Sequence, residues 1–381
     1  MAEPLVNQFG AEIPRRIGVM LAAAGKFDDR AFVATALRGY ESLNLMQRGA
    51  KIADALQAHL PRDYAKAIRL LLASLDHSSS RKVGGSLASF LYLPHTLFVA
   101  RHGLDHFELS MQAQYVLTQR FTAEFSIRPF IQHYPQQTLA LLTQWARDDS
   151  MHVRRLVSEG TRPRLPWATR LREFQKDPSP VLALLELLKD DPELYVRRSV
   201  ANNLNDIGKD HPDILVSTAH RWLKDADTNR TWIIKRALRS AVKRADLQAL
   251  AVLGFGGKAQ VTITDASITP RRVRIGEKVV VSFSVANKTH KPQDVLLDFR
   301  IHYIKANGGS KPKVFKLKQL KIAPGECVPL RKTVSLQEMT TRKHYPGVHV
   351  ADVMVNGVVQ PLGEFELRKA LTLSSPASGR G

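Results

Sequence analysis

The sequence predicts a multidomain protein: an all-α HEAT-like solenoid followed by an all-β immunoglobulin-like sandwich. Three observations predict this fold class. Apolar residues recur every three or four positions up to about residue 250, a helical segment repeats at intervals of about 40 residues, and short runs of alternating apolar and polar residues follow residue 258. We place the helical domain at residues 1–253, the sandwich at 258–369 and a disordered tail at 370–381.

The helical repeat is visible as a recurring Val-Arg-Arg motif. The segments that begin at Trp145 and Leu188 both lead into this motif, at Val153 and Val196, which lie 43 residues apart. A weaker third copy ends in Ile-Lys-Arg, beginning at Ile234. Repeats of 40–47 residues built from helix pairs are typical of HEAT-like solenoids, in which each pair packs only against its neighbours. Acidic residues before each second helix are expected to cap it.

The strand-rich region is divided by turn signals. Asparagine, proline and glycine cluster at Asn287-Lys288, Asn307–Gly309, Ala323–Gly325 and Asn356-Gly357. Such clusters between alternating runs indicate hairpin turns. The spacing predicts about seven strands within about 110 residues, as in an immunoglobulin-like sandwich.

Charge and cysteine content narrow the classes of function. The 381 residues include 56 Lys and Arg against 35 Asp and Glu, a formal charge of +21, which predicts a polyanionic partner. The single cysteine, Cys327, excludes an internal disulfide framework and a multi-cysteine metal site. We find no signal peptide or membrane span, and we expect a cytoplasmic protein without metal or cofactor.

The repeated basic residues predict a positively charged stripe along the solenoid. Both parts of the chain are basic: residues 258–381 hold 21 Lys and Arg against 9 Asp and Glu, and residues 1–257 hold 35 against 26. Duplex DNA suits such a surface, because phosphate contacts supply most non-specific affinity. The alternative is that these arginines brace successive repeats by pairing with aspartates. The repeated residues are Arg154, Arg155, Arg197, Arg198, Lys235 and Arg236.

The densest cluster of charge lies between Val153 and Trp167, where four arginines surround one carboxylate. Arg155 and Glu159 are one helical turn apart, so they can share a face. Gly160 suits the position just after a helix end. The neighbouring cations favour the ionised form of Glu159, as expected of a carboxylate that stabilises positive charge. The alternative is a structural ion pair that closes the helix.

This segment, with the stretch from Val196 to Ile207, resembles the AlkC branch of the AlkC/AlkD family of bacterial DNA alkylation-repair glycosylases. The run Ser158–Trp167 carries the resemblance, which extends to about residue 369. The resemblance implies excision of N3-methyladenine and N3-methylcytosine from duplex DNA, without turning the base into a deep pocket. It also implies a carboxylate in an arginine-rich setting, in place of the aspartate and tryptophans of AlkD-like proteins.

Three acidic residues are the predicted catalytic groups. A base alkylated at N3 is cationic and leaves as a neutral molecule, so the enzyme must stabilise an oxocarbenium-like sugar and place a water. We assign that role to Glu159. The resemblance places Glu124 and Asp206 beside the lesion, in support. The alternatives are that Glu124 pairs with Arg128 and that Asp206 merely lies near a helix end.

The predicted DNA-binding residues surround these acids. Arg155 and Arg162 would hold phosphates or orient Glu159, and Trp167 would pack on the deoxyribose or a base step, unless it belongs to the core. The full set is Arg154, Arg155, Arg162, Arg164, Trp167, Arg197 and Arg198. The partner is duplex DNA with alkylated bases, and the enzyme is expected to act as a monomer.

The sequence allows two further interpretations, one of a basic loop and one of the whole chain. The loop from Ser78 to Ser86 is basic but lacks the order of a nucleotide-binding loop, so it predicts a phosphate-touching loop or a plain linker. The competing function for the whole chain is a non-catalytic HEAT-repeat adaptor that binds nucleic acid or an acidic protein.

Overall fold

The computed structural model describes residues 5–77, 88–339 and 342–370. The basic loop from Ser78 to Ser86 lies outside these residues, as do positions 371–381 of the predicted tail. The described residues form sixteen α-helices followed by eight strands, as the sequence predicts for an all-α region followed by an all-β region. Among the described helices, none has the length and apolar character that a bilayer crossing requires.

The helices occupy the chain up to residue 252. Three short 3-10 helices accompany them at Leu5–Gln8, Ser74–His77 and Ala88–Tyr92. The α-helices are α1 (Glu12–Ala24), α2 (Asp29–Leu37), α3 (Leu45–His59), α4 (Tyr64–Ala73), α5 (Leu93–His102), α6 (Phe107–Thr118), α7 (Ile127–His133), α8 (Pro135–Trp145), α9 (Met151–Gly160), α10 (Arg172–Lys176), α11 (Ser179–Leu188), α12 (Leu194–Ile207), α13 (Pro212–Leu223), α14 (Thr228–Ala237), α15 (Arg239–Lys243) and α16 (Leu247–Val252).

The three copies of the basic motif fall on α9, α12 and α14, as the repeat predicts. Helix α12 packs against both α9 and α14, so the motif-bearing helices of successive copies are direct neighbours. The first residue of each motif, Val153, Val196 or Ile234, is completely buried. The buried apolar residue of each copy therefore holds its helix in place, because each copy packs only against its neighbours.

Aspartates shape the turns that precede these helices. Asp148 accepts a hydrogen bond from the backbone N–H of Ser150 at 2.8 Å, and Asp191 accepts one from Glu193 at 2.9 Å. Both therefore close a turn before the helix begins, and neither caps the helix itself. In the third copy, Asp227 accepts from the N–H of Arg230 at 2.7 Å and does cap its helix.

The eight strands form two sheets. One sheet has the order β1-β3-β6 and the other the order β2-β8-β7-β4-β5, and all pairs are antiparallel except β2 with β8. The sequence predicts about seven strands, and the extra one is the three-residue β2. The strands are β1 (Thr262–Thr269), β2 (Arg272–Arg274), β3 (Lys278–Ala286), β4 (Gln293–Ile304), β5 (Ser310–Ile322), β6 (Cys327–Ser335), β7 (Gly347–Val355) and β8 (Val358–Arg368).

Alternating residues of the strands build the core of the sandwich. On β4, for example, Val295, Leu297, Phe299 and Ile301 are completely buried at every second position. The predicted turns lie between strands. Asn356-Gly357 connects β7 to β8 with φ of 47° and 83°, the left-handed pair that a two-residue hairpin requires.

The described residues group into two compact units. The first comprises residues 5–215 and 222–237, and the second comprises residues 216–221 with the chain from 238 onward. Helices α15 and α16 thus belong to the unit that contains the strands. Leu250 of α16 clusters with Phe255 and with Leu296 of β4, which accounts for this grouping. The domain boundary at residue 253 stays a prediction.

Candidate active site

Three acidic side chains from different segments of the helical unit are joined through arginines. Glu124 lies in the turn before α7, Glu159 near the end of α9 and Asp206 near the end of α12. Their side chains are 12%, 7% and 1% exposed, respectively, so Glu124 and Glu159 reach the surface and Asp206 does not. We call these three residues the carboxylate cluster.

Arg155 joins the first two members of the cluster. Its guanidinium group forms an ion pair with Glu124 and lies 3.6 Å from Oε1 of Glu159. The same group donates a 2.6 Å hydrogen bond to Thr122, whose hydroxyl donates to Glu124 at 2.8 Å. Burial opposes the charge, but Glu124 and Glu159 outweigh it and raise the pKa of Arg155. The other side of this guanidinium lies over the ring of Tyr195, 5.1 Å from its centre.

Arg162 joins Glu159 to Asp206. Its Nη1 donates to Oε1 of Glu159 at 2.6 Å, and its Nε donates to Oδ2 of Asp206 at 2.8 Å. Burial again opposes the charge, and the two carboxylates raise the pKa of Arg162 above its usual value. Lys209 ends the series, with Nζ 2.7 Å from Oδ1 of Asp206. Acidic and basic side chains thus alternate along the whole array.

Arg128 has a different role from the one its spacing suggests. Glu124 precedes α7, so the two residues do not share a helix face, and Glu124 pairs with Arg155 instead. The Arg128 guanidinium is buried and donates to the backbone carbonyls of Gly160 and Arg162, both at 2.9 Å, and of Thr169. Burial, with the positive charge of Arg162, lowers the pKa of Arg128 to about 10. Arg128 therefore fixes the segment after α9.

Small polar residues of α12 complete the surroundings of Glu159. Ser199 donates to Oε2 of Glu159 at 2.6 Å and also contacts Ser158 at 2.7 Å. Asn203 donates to the carbonyl oxygen of Ser158 at 2.8 Å and to Thr161 at 3.1 Å, so it satisfies a carbonyl group in the last turn of α9. Sequence reasoning missed these residues and Thr122.

The remaining basic residues of the prediction divide into paired and exposed groups. Arg154 donates to both carboxylate oxygens of Asp191, at 2.6 and 3.2 Å, which raises the pKa of Arg154. Arg197 is buried and donates to the carbonyl groups of Asp191 and Pro192. The pairing of Arg154 with Asp191 is the bracing contact of the alternative interpretation, whereas Arg197 bonds backbone carbonyl groups just before its own helix. Arg198, by contrast, is exposed.

The segment after α9 has both a paired and an exposed residue. Arg164 forms a two-bond ion pair with Asp210, and the hydrogen bond from Arg164 is the main reason that the pKa of Asp210 is lowered. Trp167 is 66% exposed, which contradicts the alternative that it belongs to the core. Its backbone φ is 65°, in the left-handed region that bulky residues rarely adopt.

Comparisons with known proteins agree with both parts of the chain. A family model described as a DNA alkylation repair enzyme matches residues 121–243, a range that contains the whole carboxylate cluster. A second model, described as the C-terminal Ig-like domain of the uncharacterised protein YhaZ, matches residues 262–369. The chain is 36% identical over 342 residues to a Bacillus subtilis protein named uncharacterized protein YhaZ. The matched residues cover 90% of this chain and 92% of that protein.

A solved structure is similar over almost the entire chain. It is the Pseudomonas fluorescens alkylpurine DNA glycosylase AlkC bound to DNA containing an abasic site analog, with a TM-score of 0.90 and 40% identity over 96% of this chain and 100% of that chain. The family resemblance predicted from Ser158–Trp167 is therefore confirmed. The chain belongs to the AlkC branch of the AlkC/AlkD family of DNA alkylation-repair glycosylases.

Proposed function

We propose that the chain is a monofunctional DNA glycosylase that hydrolyses the N-glycosidic bond of cationic alkylated bases, N3-methyladenine and N3-methylcytosine, in duplex DNA. It acts as a monomer on DNA in the cytoplasm, and it does not turn the base into a deep pocket. The observation that carries this proposal is the carboxylate cluster, in which two arginines hold three acids in one nearly buried array. The solved AlkC complex with DNA supports duplex DNA as the partner.

Glu159 is the group that faces the sugar in this proposal. Its two oxygens accept hydrogen bonds from Arg162 and Ser199, and a carboxylate has about four acceptor sites, so lone pairs remain for a water. Fixed charge in a poorly hydrated site stabilises an oxocarbenium-like sugar without reorganising as the bond breaks. Because the alkylated base leaves as a neutral molecule, no general acid is needed.

The other acids differ in their access to DNA. Glu124 is exposed enough to help hold the water or the developing positive charge, and Asp206 is not. Asp206 therefore acts through Arg162, which it holds against Glu159. No lysine is assigned as a Schiff-base nucleophile, so the product is an abasic site in an unbroken strand.

The test is release of alkylated bases from methylated duplex DNA by the wild-type protein and by Glu159→Gln. We expect the variant to lose release by at least about 100-fold, the range seen when one electrostatic contact to a transition state is removed. Its affinity for duplex DNA should change little.

Asp191→Asn is the matched control. Asp191 is also a buried acid paired with an arginine of the repeat, but it lies outside the carboxylate cluster. The Asp191→Asn variant should be less stable than the wild-type protein but should still release alkylated bases. Wild-type protein that binds DNA but releases no base would instead support the adaptor, and an active Glu159→Gln variant would refute the assignment of Glu159.

A further inference from the structure

The two oxygens of Glu159 are held by groups from different places. Oε1 accepts from Arg162 at 2.6 Å and lies 3.6 Å from Arg155, so both guanidinium groups act on the same oxygen. Oε2 accepts from the hydroxyl of Ser199 at 2.6 Å, which lies on the next repeat. The orientation of the carboxylate about its last bond therefore depends on Ser199 as well as on the arginines.

The direction of these hydrogen bonds follows from the proton count. An ionised carboxylate only accepts, so the one proton of Ser199 goes to Glu159. The Ser199 oxygen, 2.7 Å from Ser158, can then accept the proton of Ser158. Both serines are almost completely buried, so bulk water does not compete for these bonds.

The repeat provides an independent argument that Ser199 is placed for Glu159. The residue three positions after the first residue of the motif is Leu156 in the first copy, Ser199 in the second and Ala237 in the third, and all three are buried. Packing at this position is thus satisfied by apolar side chains in two copies. A buried hydroxyl costs free energy unless it is hydrogen-bonded, and at Ser199 its partner is Glu159.

We infer that Ser199 is a positioning residue for base excision: its hydroxyl fixes Oε2 of Glu159 and thereby aims the carboxylate at the deoxyribose. This inference rests on the proposed function. Ser199 touches neither sugar nor base in this scheme and acts through Glu159. Its loss should slow the bond-breaking step and leave the binding of DNA unchanged.

Ser199→Ala and Ser158→Ala form the test pair in the full-length chain. Each removes one hydroxyl from the same buried pair, but only Ser199→Ala removes the contact with Glu159. The measurements are single-turnover release of N3-methyladenine at saturating protein, affinity for a duplex with an abasic-site analogue, and thermal unfolding. We expect Ser199→Ala to slow release about tenfold or more with unchanged affinity, because small losses of alignment cost large factors in rate. Ser158→Ala should stay within about twofold of wild type, since the bond from Ser199 to Glu159 survives.

Several outcomes would overturn the inference. A Ser199→Ala rate equal to wild type refutes it, and so does equal slowing in both variants, which would mark the pair as structural. If the alanine variant unfolds, Ser199→Cys replaces the hydroxyl with a weaker donor and should show the same slowing. The proposed function fails separately, and takes this inference with it, if wild-type protein releases no base.

Discussion

Trp167 combines an exposed indole ring with a backbone conformation that a bulky residue adopts only at a cost. The side chain is 66% exposed and φ is 65°, which costs on the order of 1–3 kcal/mol in a residue other than glycine. Burial in the core does not account for this ring, because most of its surface is exposed. We interpret the residue as a contact for the sugar or for a base step of DNA.

Replacement of Trp167 by asparagine should separate binding from stability. Asparagine tolerates the left-handed region, so the free energy of unfolding should stay the same or rise. Affinity for a duplex with an abasic-site analogue should fall by about 1 kcal/mol or more, the range for loss of aromatic contact with a base. Fluorescence anisotropy and thermal unfolding measure the two effects. Lower stability with unchanged affinity would show that Trp167 supports the fold and does not contact DNA.

The residues that sequence reasoning missed share a physical property. Thr122, Ser199 and Asn203 make side-chain hydrogen bonds to residues that lie 33, 40 and 45 positions away in the sequence, respectively. Such contacts leave no periodicity and no local charge pattern. For Ser199 there was one signal, a polar residue at a position that is apolar in the other two copies of the repeat.

At the scale of the elements, Gly160 has a role that helix-end rules do not describe. The sequence predicts Gly160 just after the end of a helix, where a left-handed residue is common. In the structure it is the last residue of α9, and Thr161 follows with φ of −86°. A Cβ atom at Gly160 would lie 2.6 Å from Cγ2 of Ile127 on α7. The glycine therefore allows α7 to approach α9.

The sign of the stability change in Gly160→Ala tests this explanation. Helix propensity alone would make alanine more stable by about 1 kcal/mol. The clash with Ile127 should instead destabilise the protein by about 1–3 kcal/mol, as overpacking does. Base release should also slow, because Glu159 is the preceding residue. Urea unfolding gives the sign, and Gly160→Ala should cost less free energy of unfolding in an Ile127→Ala background, which lacks the clashing methyl group, than in the wild type.

The elements themselves were more predictable than their contacts. The recurring valines predicted the positions of the copies on α9 and α12, because core positions repeat with the helical pairs. The Asn356-Gly357 pair predicted a hairpin, because both residues readily adopt the left-handed backbone angles that the turn requires. Strand β2 was missed because three residues are too short to show alternation. The pairing of Arg154 with Asp191 was foreseen only as an alternative, since spacing alone does not distinguish a brace from a DNA contact.

At the scale of the whole molecule, the formal charge of +21 extends into the sandwich. Strand β5 lies at the edge of its sheet and exposes Lys311, Lys318 and Lys321. One explanation of these lysines is that they contact DNA phosphates. The other is that charged residues on an edge strand discourage pairing with other sheets. The dependence of DNA affinity on salt distinguishes them, since each phosphate contact contributes to that dependence.

Changing these three lysines to glutamine should weaken DNA binding and reduce the slope of log affinity against log salt by up to about 3. A triple variant in the helical unit, at Lys26, Lys66 and Lys176, makes the same change in net charge with other exposed lysines. Its slope should change less. An equal change in both variants would indicate a general charge effect, and no change in either would leave the edge lysines with a role in preventing aggregation.

A hydrogen bond donated by Ser199 to Glu159 and another donated by Arg162 to Asp206 cross between successive helical repeats. In a solenoid each repeat contacts only its neighbours, so the array behaves as a series of similar units. Here a unit inserted between α9 and α12 would carry the acid away from its partners and dismantle the site. Insertion of a helical repeat at this point of the chain should therefore abolish base release.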